Sequence, residues 1–338
     1  MSKGLDRKFW KGLPVLVTGG TGFVGQAVVA RLLELEAEVA VIARNVSFDA
    51  PFFRAPASAL RRVALYQVDV RSNDDIFEVV NAVQPQIVIH LAAMTQVTEV
   101  AAHPLRAYET NVLGTANLLH ALRGLREAPS VVVASSDKAL GEPEERPSFS
   151  WTRPNPIHPY DTSKAAAELV ARSYAEFYGL RVAQTRFANI YGPGDTNWKR
   201  LIPGTIRSLL RGERPVLRSD GKQVRQYVYV GDCAEVYLNL AQRMHNPQWG
   251  KRMFTTGYPF TFDGESADAL TIVGMIAERM NRVDLQPVVL NQAQDETQEI
   301  SLDGEEAAEL FGIWRRTDLG SGLAETIDWL LGYLGSGQ

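Results

Sequence analysis

Hydrophobic and polar positions alternate in two different ways along the first half of the chain. Short apolar runs rich in β-branched residues are separated by longer segments in which apolar residues recur at helical spacing. The short runs, at residues 14–18, 38–42, 63–68, 86–90 and 131–134, predict strands, and the longer segments, at residues 25–35, 74–83 and 105–123, predict helices. This order predicts an α/β fold, a Rossmann-like doubly wound parallel sheet with helices on both faces.

The second half of the chain has a less regular pattern. A helix at residues 161–178 and a strand at 181–186 continue the alternation, but after Gly192 the apolar runs are short. Further helices are predicted at residues 203–211, 231–241, 269–281 and 321–334. We therefore predict a Rossmann domain over residues 1–185 and a smaller α/β C-terminal lobe over 186–338, with some exchange of strands near residues 180–260.

Composition and charge exclude several classes of protein. The 338 residues, 45% of them hydrophobic, are enough for a large core. A formal net charge of -4 argues against binding to nucleic acid or to an anionic membrane. The five histidines (His90, His103, His120, His158 and His245) are scattered, and no Cys/His spacing resembles a zinc site, so no metal is predicted.

Cysteine usage and hydropathy bear on the cellular compartment of the protein. The single cysteine, Cys233, excludes an intramolecular disulfide and fits a reducing environment, where it is expected to be a small buried hydrophobe. The first residues lack the apolar stretch of a signal peptide, and no window reaches transmembrane length. A cytoplasmic protein is therefore expected.

The first predicted strand leads directly into a glycine-rich segment, TGGTGFVG at residues 18–25. Gly20, Gly22 and Gly25 fit G-x-G-x-x-G, and Gly19, Gly22 and Gly25 also fit G-x-x-G-x-x-G. Such glycines permit a tight turn and let a pyrophosphate approach the backbone at the N-terminus of the next helix. A turn without a ligand is the alternative, but the position between a strand and a helix favours a dinucleotide site. Its predicted residues are Gly19, Thr21, Gly22, Phe23, Val24 and Gly25.

The second strand bears on the choice of dinucleotide. Such a strand commonly ends in an acidic residue that binds the adenosine ribose, but here VIARN, residues 41–45, places Arg44 there. A guanidinium can pair with a 2′-phosphate or stack on adenine, which favours NADP. Arg44 could equally be a solvated strand end, so NAD stays open. Asp69 and Val70, after the third strand, are predicted to meet the adenine edge.

Residues 160–164 read YDTSK, which places Tyr160 and Lys164 one turn apart on the same face of a helix. A neighbouring ammonium and a bound nicotinamide cation would lower the pKa of the tyrosine, so that its phenolate accepts a hydroxyl proton. The spacing is common by chance and also describes a surface pair with a snorkelling lysine. Its position after a dinucleotide loop and a strand ending in Ser136 favours catalysis.

With these motifs the chain resembles the extended short-chain dehydrogenase/reductase family over nearly all of its length. The shared segments are TGGTGFVG, HLAA at residues 90–93, N-x-x-G-T at 111–115, Ser136, Tyr160 with Lys164, and R-x-x-N-I-Y-G-P-G at 186–194. The resemblance implies NAD(P), tightly bound and recycled, in the first domain and a sugar nucleotide in the second. It implies further cofactor contacts from Leu91, Ala92, Ala93 and Asn111, and substrate contacts from Met94, Asn189, Arg200, Leu201 and Arg225.

The segment VVVASSDKALG, residues 131–141, bears on the reaction. A 4-epimerase needs only the hydroxyl and the phenol, whereas a 4,6-dehydratase also removes the C5 proton and expels the C6 hydroxyl. dTDP-glucose 4,6-dehydratases carry Asp-Glu after the strand end, and this chain carries Asp137-Lys138, similar to the CDP-glucose 4,6-dehydratase group. The resemblance implies Lys138 as the C5 base and Asp137 as the acid. Alternatively, Asp137 caps a turn and Lys138 is solvated.

Some residues leave other functions open. In water Asp137 and Lys138 would settle as an ion pair, each in the protonation state opposite to the one that elimination needs. Met94 stands where relatives often have Gln or Glu, Gln226 replaces a usual Asp, and Leu140 replaces an aromatic residue. A sugar-nucleotide 4-epimerase or reductase on the same fold is therefore one alternative, and a non-catalytic dinucleotide-sensing protein is another.

The resemblance also implies a homodimer. In this family two helices, here about residues 101–123 and 161–178, form a four-helix interface between two copies. Ala165, Ala166 and Ala167 would allow close packing, although alanine also simply favours helix. The expected partners are therefore a nucleotide-sugar substrate and a second copy of the chain.

Overall fold

The computed structural model describes residues 4–46, 51–54, 57–142, 147–245, 257–292, 299–311 and 317–335. Its strands are β1 (Pro14–Thr18), β2 (Glu38–Ala43), β3 (Val63–Gln67), β4 (Ile87–His90), β5 (Ser130–Ala134), β6 (Arg181–Phe187), β7 (Asn189–Tyr191), β8 (Val216–Leu217), β9 (Val224–Tyr229), β10 (Pro259–Phe262), β11 (Glu265–Asp268), β12 (Val288–Val289) and β13 (Glu299–Ile300). Its helices are α1 (Arg7–Trp10), α2 (Phe23–Glu34), α3 (Ala57–Leu60), α4 (Asn73–Val83), α5 (Val97–Ala102), α6 (Pro104–Tyr108), α7 (Gly114–Arg123), α8 (Pro159–Tyr178), α9 (Leu201–Leu210), α10 (Val230–His245), α11 (Ala269–Arg279), α12 (Glu305–Phe311) and α13 (Leu319–Gly335). A π-helical turn, Glu109–Leu113, separates α6 from α7, and short 3₁₀ helices lie at Pro51–Arg54 and Asp137–Leu140.

A seven-stranded sheet dominates the fold, in the order β10-β6-β5-β4-β1-β2-β3. From β1 the chain winds outward through β2 to β3, then crosses back to β4 and continues through β5 and β6 in the other direction. Each neighbouring pair along this path is parallel. The predicted doubly wound, Rossmann-like fold is confirmed, and the reversal between β1 and β4 opens a crevice at the carboxyl edge of the sheet.

Apolar layers cover both faces of this sheet. Val15 and Val17 of β1 belong to a cluster that includes side chains of α2 and α10, whereas Leu16 between them packs with α4 and α7 on the opposite face. Because both faces are buried, the strands are nearly continuous apolar runs, which is why the sequence pattern predicted them.

The second half of the chain both forms a separate lobe and contributes to the large sheet. The lobe has a sheet in the order β11-β9-β13, with β7 also paired to β9, and a core shared by α9, α11 and α13. Strand β10 instead pairs with β6 in the large sheet, and α10 packs against that sheet. The division into residues 1–185 and 186–338 stays a prediction, and residues 246–256 of the expected exchange region lie outside the described residues.

The helix expected at residues 105–123 is interrupted by the π-helical turn. Side-chain hydroxyls bind main-chain carbonyls around the turn, Thr110 to Arg106 at 2.8 Å and Thr115 to Asn111 at 2.6 Å. Apolar spacing did not reveal the interruption. Turns of this kind often occur at functional sites, and this one buries Asn111 in the interior.

Candidate active site

A cavity of about 420 Å³ lies where the carboxyl edge of the large sheet faces the second lobe. It is lined by thirteen of the residues that the sequence predicted for the site: Phe23, Val24, Leu91, Ala93, Ser136, Asp137, Lys138, Tyr160, Lys164, Asn189, Arg200, Leu201 and Arg225. A larger groove of about 1100 Å³, between α2, α10 and α13, contains none of the predicted residues. The chemistry-bearing side chains therefore converge on the smaller cavity.

The phosphate loop has the geometry that a bound pyrophosphate requires. Gly19 has φ +71°, and a Cβ there would lie 2.8 Å from the backbone nitrogen of Ala92. A Cβ at Gly25 would lie 2.2 Å from the carbonyl oxygen of Gly19, so the start of α2 can approach the loop only with glycine. Gly22 is the N-cap of α2, without a side-chain cap or an acidic residue in the first turn. The first N–H groups of α2 are therefore suited to a phosphate, and Thr21 lies in the same turn.

The residues predicted around the adenosine lie outside this cavity. Arg44 is exposed just after β2. Asp69 forms an ion pair with Arg71 at 2.8 Å, and this contact holds the pKa of the Asp69 carboxyl below its usual value, with a further contribution from the charge of Arg44. Val70 is buried against Gly114 at the start of α7. Of the three predicted residues, Arg44 and Asp69 therefore have polar side chains here, and Val70 does not.

The tyrosine and lysine lie in the first turns of α8, beside the end of β5. Both side chains are buried. The Nζ of Lys164 donates a hydrogen bond to the carbonyl oxygen of Ala134 at 2.9 Å, which holds α8 against the strand that leads to Ser136. The backbone N–H of Tyr160 donates to Nδ1 of the N-cap residue, His158, at 3.1 Å, and this bond orients Tyr160. The cavity thus brings Ser136, Tyr160 and Lys164 together.

The protein surroundings by themselves raise the pKa of Tyr160. Burial raises it above its usual value, and a hydrogen bond with Ser136 opposes this rise only in part. Burial also lowers the pKa of Lys164 to about 8, although the nearby Glu168 carboxylate raises it. The lowering of the phenol pKa was expected from Lys164 together with a bound nicotinamide cation, and it stays a prediction for the site that holds the cofactor.

Asp137 and Lys138 differ in arrangement from the ion pair expected in water. Oδ1 of Asp137 accepts a hydrogen bond from Oγ of Ser136 at 2.7 Å and one from the backbone N–H of Lys138 at 2.8 Å. Among the ion pairs of the described residues, none joins the two side chains. Asp137 is buried and Lys138 is half-buried, and both line the cavity. Ser136 is the N-cap of the short 3₁₀ helix, and the Asp137 carboxylate adds a second acceptor for the Lys138 N–H while it still lines the cavity.

A buried ion pair beneath the end of β5 was not predicted. Arg186 on β6 binds Glu168 on α8 through two bonds, Nε to Oε1 at 2.8 Å and Nη2 to Oε2 at 2.6 Å. Oε1 also accepts the hydroxyl of Ser135 at 2.6 Å. Glu168 lies one helical turn beyond Lys164, so α8 contacts the strand end through both residues. The spacing from Lys164 indicated the shared helix face, but nothing in the sequence indicated the partner.

The predicted substrate residues are distributed around the second lobe. Arg200 pairs with the buried carboxylate of Asp195 at 3.0 Å, and its guanidinium lies 5.6 Å from the ring centre of Phe23 in the phosphate loop. The amide of Asn189 donates to the carbonyl of Gln226 at 3.3 Å. Arg225 donates to its neighbour Val224 and lines the cavity, as does Leu201 at the start of α9. Arg200 therefore connects the phosphate loop with the substrate lobe.

Met94 does not line the cavity, unlike the other predicted substrate residues. Its side chain is buried in a small cluster with Val100, Ala107 and Tyr160. Both of its backbone polar groups bind the side chain of Asn111, at 2.7 and 3.1 Å. Met94 therefore packs with Tyr160, and its contact with the substrate stays a prediction. Asn111 holds the segment 91–94 in place.

The other two residues that differ from the family pattern, Gln226 and Leu140, have structural contacts. The amide of Gln226 binds the backbone of Leu302 twice, at 3.1 and 2.8 Å, so this side chain joins two segments of the second lobe. Leu140 is buried in the main core.

Asp195 and Tyr237 are among the cavity-lining residues that the sequence analysis did not predict. The place of Asp195, directly after the motif at residues 186–194, was a signal that could have identified it.

Neither a metal centre nor a membrane span is found in the described part of the chain. No group of three or more His, Cys, Asp or Glu side chains there is arranged to hold a metal ion. No helix among those residues is sufficiently long and apolar to cross a bilayer. Cys233 is a buried free thiol, as expected from its apolar surroundings.

The chain is similar to several known proteins. The chain is 29% identical to the CDP-glucose 4,6-dehydratase of Salmonella typhimurium over 282 residues, 80% of this chain and 76% of that protein. Among solved structures, it resembles the UDP-glucose 4-epimerase of Thermotoga maritima, with UDP-glucose, at a TM-score of 0.81 and 25% identity over 95% of this chain and 99% of that one. It resembles DesIV, the dTDP-glucose 4,6-dehydratase of Streptomyces venezuelae with NAD bound, at a TM-score of 0.81 and 25% identity over 95% and 98%.

A family model supports the resemblance that the motifs indicated. The model of the NAD dependent epimerase/dehydratase family matches residues 15–253, which is more than half of the chain. This span includes the phosphate loop, the strand end at Ser136, the tyrosine and lysine of α8, and both arginines of the substrate lobe. The chain therefore belongs to the NAD dependent epimerase/dehydratase family.

Proposed function

We propose that the protein is a nucleotide-sugar 4,6-dehydratase, a lyase that forms an NDP-4-keto-6-deoxyhexose. The observation that carries the proposal is the presence of Asp137 and Lys138 in the same cavity as Ser136, Tyr160 and Lys164. Oxidation at C4 uses only the last three. A further carboxyl and a further amine are what the elimination of water requires, one as acid and one as base.

The first step oxidises C4 of the sugar. Tyr160 accepts the proton of the C4 hydroxyl as the hydrogen on C4 leaves as hydride. NAD(P), tightly bound and recycled, supplies the hydride acceptor and later the hydride donor. Lys164, held by the carbonyl of Ala134, stabilises the phenolate through its charge, and Ser136 is its hydrogen-bond partner.

The second step removes water. The 4-ketone makes the C5 hydrogen acidic, and Lys138 in its amine form accepts that proton. Asp137 in its acid form protonates the C6 hydroxyl, which leaves as water. A hydride from the reduced cofactor would then add to C6, and Lys138 would return its proton to C5. The proton that Tyr160 took from O4 replaces the one that Asp137 lost, so the net change is the loss of one water.

The substrate lobe suits a nucleoside diphosphate. Arg200 and Arg225 place two guanidinium groups at the cavity, and Asn189 adds an amide. Guanidinium groups bind phosphate oxygens through paired, charge-assisted hydrogen bonds. Asp195 holds Arg200 at 3.0 Å and so fixes its orientation. We propose that these residues bind the diphosphate and leave the sugar beside Tyr160.

Product mass tests the reaction directly. The protein is incubated with CDP-, dTDP-, UDP- and GDP-hexoses, and the products are analysed by mass spectrometry. We expect one donor to give a product lighter by one water. Unchanged mass with every donor would contradict the dehydratase proposal.

A sugar-nucleotide 4-epimerase or reductase is the second candidate, favoured by the similarity to the Thermotoga maritima UDP-glucose 4-epimerase. An epimer keeps the mass of the substrate, and its inverted C4 is visible by proton NMR. A reductase adds two hydrogens and consumes one reduced cofactor for each product. The same incubations therefore distinguish the three reactions.

We propose that Arg44 enables the site to accept the 2′-phosphate of NADP. Replacement by alanine is expected to weaken NADPH binding by about tenfold while NADH binding changes by less than about twofold, because only NADPH loses a charge-assisted hydrogen bond. Fluorescence titrations of both nucleotides with wild type and Arg44→Ala measure this. Arg71→Ala is the matched control, since Arg71 is already paired with Asp69. Equal losses for both nucleotides would contradict the role of Arg44.

We also propose a homodimer formed through α6, the π-helical turn, α7 and α8, in the cytoplasm. Large apolar side chains are exposed along this surface: Leu105 at 76%, Leu113 at 50%, Leu169 at 67% and Phe177 at 81%. An apolar surface of this kind is typical of an interface. A four-helix arrangement between two copies would cover all four side chains.

Leu169→Asp is expected to dissociate this dimer. An unpaired carboxylate would be buried at the interface, which should raise the dissociation constant by about a hundredfold or more. Light scattering after size exclusion gives the mass of wild type and variant. Val283→Asp is the control, because Val283 is also apolar and 56% exposed but lies in the second lobe. A monomeric wild type, or a Leu169→Asp variant that stays dimeric, would contradict the proposed interface.

A further inference from the structure

The histidine at the end of β4 is buried between two hydroxyl groups. Nδ1 of His90 lies 2.7 Å from Oγ1 of Thr18, and Nε2 lies 2.9 Å from Oγ1 of Thr115. Thr18 is the last residue of β1, directly before the phosphate loop, and Thr115 lies in the first turn of α7. The imidazole therefore bridges the strand that carries the loop and the helix that follows the π-helical turn.

The direction of every proton in this arrangement can be worked out. The hydroxyl of Thr115 donates to the carbonyl oxygen of Asn111 at 2.6 Å, and a carbonyl can only accept. Thr115 must therefore accept from His90, so Nε2 carries the hydrogen. On the other side, Oγ1 of Thr18 accepts the backbone N–H of Ala92 at 3.2 Å and keeps its own proton to donate to Nδ1.

The surroundings favour the neutral ring. His90 is only 3% exposed. Burial lowers its pKa to about 3, and the charge of Lys164 acts in the same direction. A neutral imidazole has one donor and one acceptor on opposite sides, which matches what Thr115 and Thr18 require.

The chain of hydrogen bonds continues to the tyrosine. The side-chain amide of Asn111 donates to Oγ of Ser163 at 2.9 Å, and that hydroxyl donates to the carbonyl oxygen of Tyr160 at 2.7 Å. The same side chain holds the backbone of Met94. A continuous, ordered network therefore extends from the backbone of Ala92, beside the phosphate loop, to the backbone of Tyr160.

We propose that His90, as the neutral Nε2–H tautomer, is a positioning residue that couples the phosphate-loop strand to the Asn111 turn and, through it, to Tyr160. It does not touch cofactor or substrate. It acts by fixing the segment 91–94 and Asn111 relative to β1, so its effect should be seen in cofactor affinity. The inference concerns the nicotinamide site and holds whichever sugar reaction the enzyme performs.

Nitrogen NMR tests the tautomer in the full-length protein. Protein labelled with ¹⁵N-histidine is observed between about pH 8 and pH 5, a range that spans the ordinary histidine pKa. We expect His90, assigned by its loss in His90→Gln, to give the signals of an Nε2–H tautomer throughout. Free histidine, titrated over the same range, is the reference for a ring that becomes charged. An Nδ1–H tautomer or a charged ring at His90 would overturn the proposal.

Substitution of Thr115 tests the coupling. Thr115→Val keeps the shape but leaves Nε2–H and the Asn111 carbonyl without a partner, whereas Thr115→Ser keeps the hydroxyl. We expect Thr115→Val to weaken NADH binding by about fivefold to tenfold, as for one lost hydrogen bond, and Thr115→Ser to restore it to within about twofold. A purely structural role would lower the melting temperature with unchanged NADH affinity, and that result would overturn the proposal. Thr18→Val serves as a second variant should Thr115→Val fail to fold.

Discussion

Replacement of Lys138 by alanine is expected to leave C4 oxidation intact and to slow the loss of water by about 10²- to 10⁴-fold, the usual contribution of a general base. Without an amine near C5 the 4-ketone forms but its C5 proton stays in place. Reduced cofactor should therefore accumulate in a single turnover, and deuterium from D₂O should enter C5 slowly. The absorbance of the reduced nicotinamide and the mass of the recovered sugar nucleotide measure the two steps separately.

Asp137→Asn provides the matched comparison on the same segment. It removes the acid for the C6 hydroxyl, so water loss should fall while exchange at C5 continues through Lys138. Lys222→Ala, a change at an exposed lysine of the second lobe, should leave both steps unchanged. If Lys138→Ala exchanges the C5 hydrogen at the wild-type rate, then Lys138 is not the base. The contacts of Asp137 with Ser136 and the backbone would then reflect only a cap.

Loss of the buried carboxylate on α8 is expected to have the largest effect on stability. Glu168→Ala leaves the guanidinium of Arg186 buried without its partner, since the two side chains are 8% and 3% exposed. Removing one member of such a pair typically costs about 3–5 kcal/mol in the free energy of unfolding. Urea denaturation, followed by circular dichroism, measures the difference from wild type.

An exposed pair on the same helix is the control. Arg172 and Glu176 lie 2.7 Å apart and are 60% and 45% exposed. Glu176→Ala should therefore change the free energy of unfolding by no more than about 0.5 kcal/mol. The double variant Glu168→Leu, Arg186→Met should recover much of the loss, because it leaves no buried charge. Equal costs for Glu168→Ala and Glu176→Ala would contradict this account of the pair.

The pair matters for the site as well as for stability. Oε1 of Glu168 accepts the hydroxyl of Ser135, and Lys164, one turn earlier, donates to the carbonyl of Ala134. The residues that precede Ser136 are thus held on α8 by two contacts. We expect loss of Glu168 to affect the reaction through the position of Ser136, in addition to its effect on folding.

Much of the site could be predicted because its signals are local. The glycines of TGGTGFVG are required by the turn and by the close approach of α2, and the structure shows both. Tyr160 and Lys164 share a face because they are four residues apart on a helix. The strand end at Ser136 and the phosphate loop lie at the same edge of the sheet because all the large strands are parallel.

Contacts between distant segments could not be predicted in the same way. Met94 packs with Tyr160, and the π-helical turn brings Asn111 to the Met94 backbone. The protein's own effect on the pKa of Tyr160 is upward, because the phenol is buried. Burial, like the partner of a side chain, depends on the packing of several elements at once.

The sequence by itself determined the doubly wound sheet, the glycine-rich turn and the shared helix face of Tyr160 and Lys164. These follow from apolar periodicity, glycine conformation and helical spacing, each of which acts over a few residues. Only the tertiary structure decided that Asp137 turns toward Ser136, that Glu168 meets Arg186, and that His90 joins β1 to α7. Some of those contacts join residues from separate strands and helices, and the others depend on how a side chain is buried. The packing of the elements against one another sets the contacts and the burial alike.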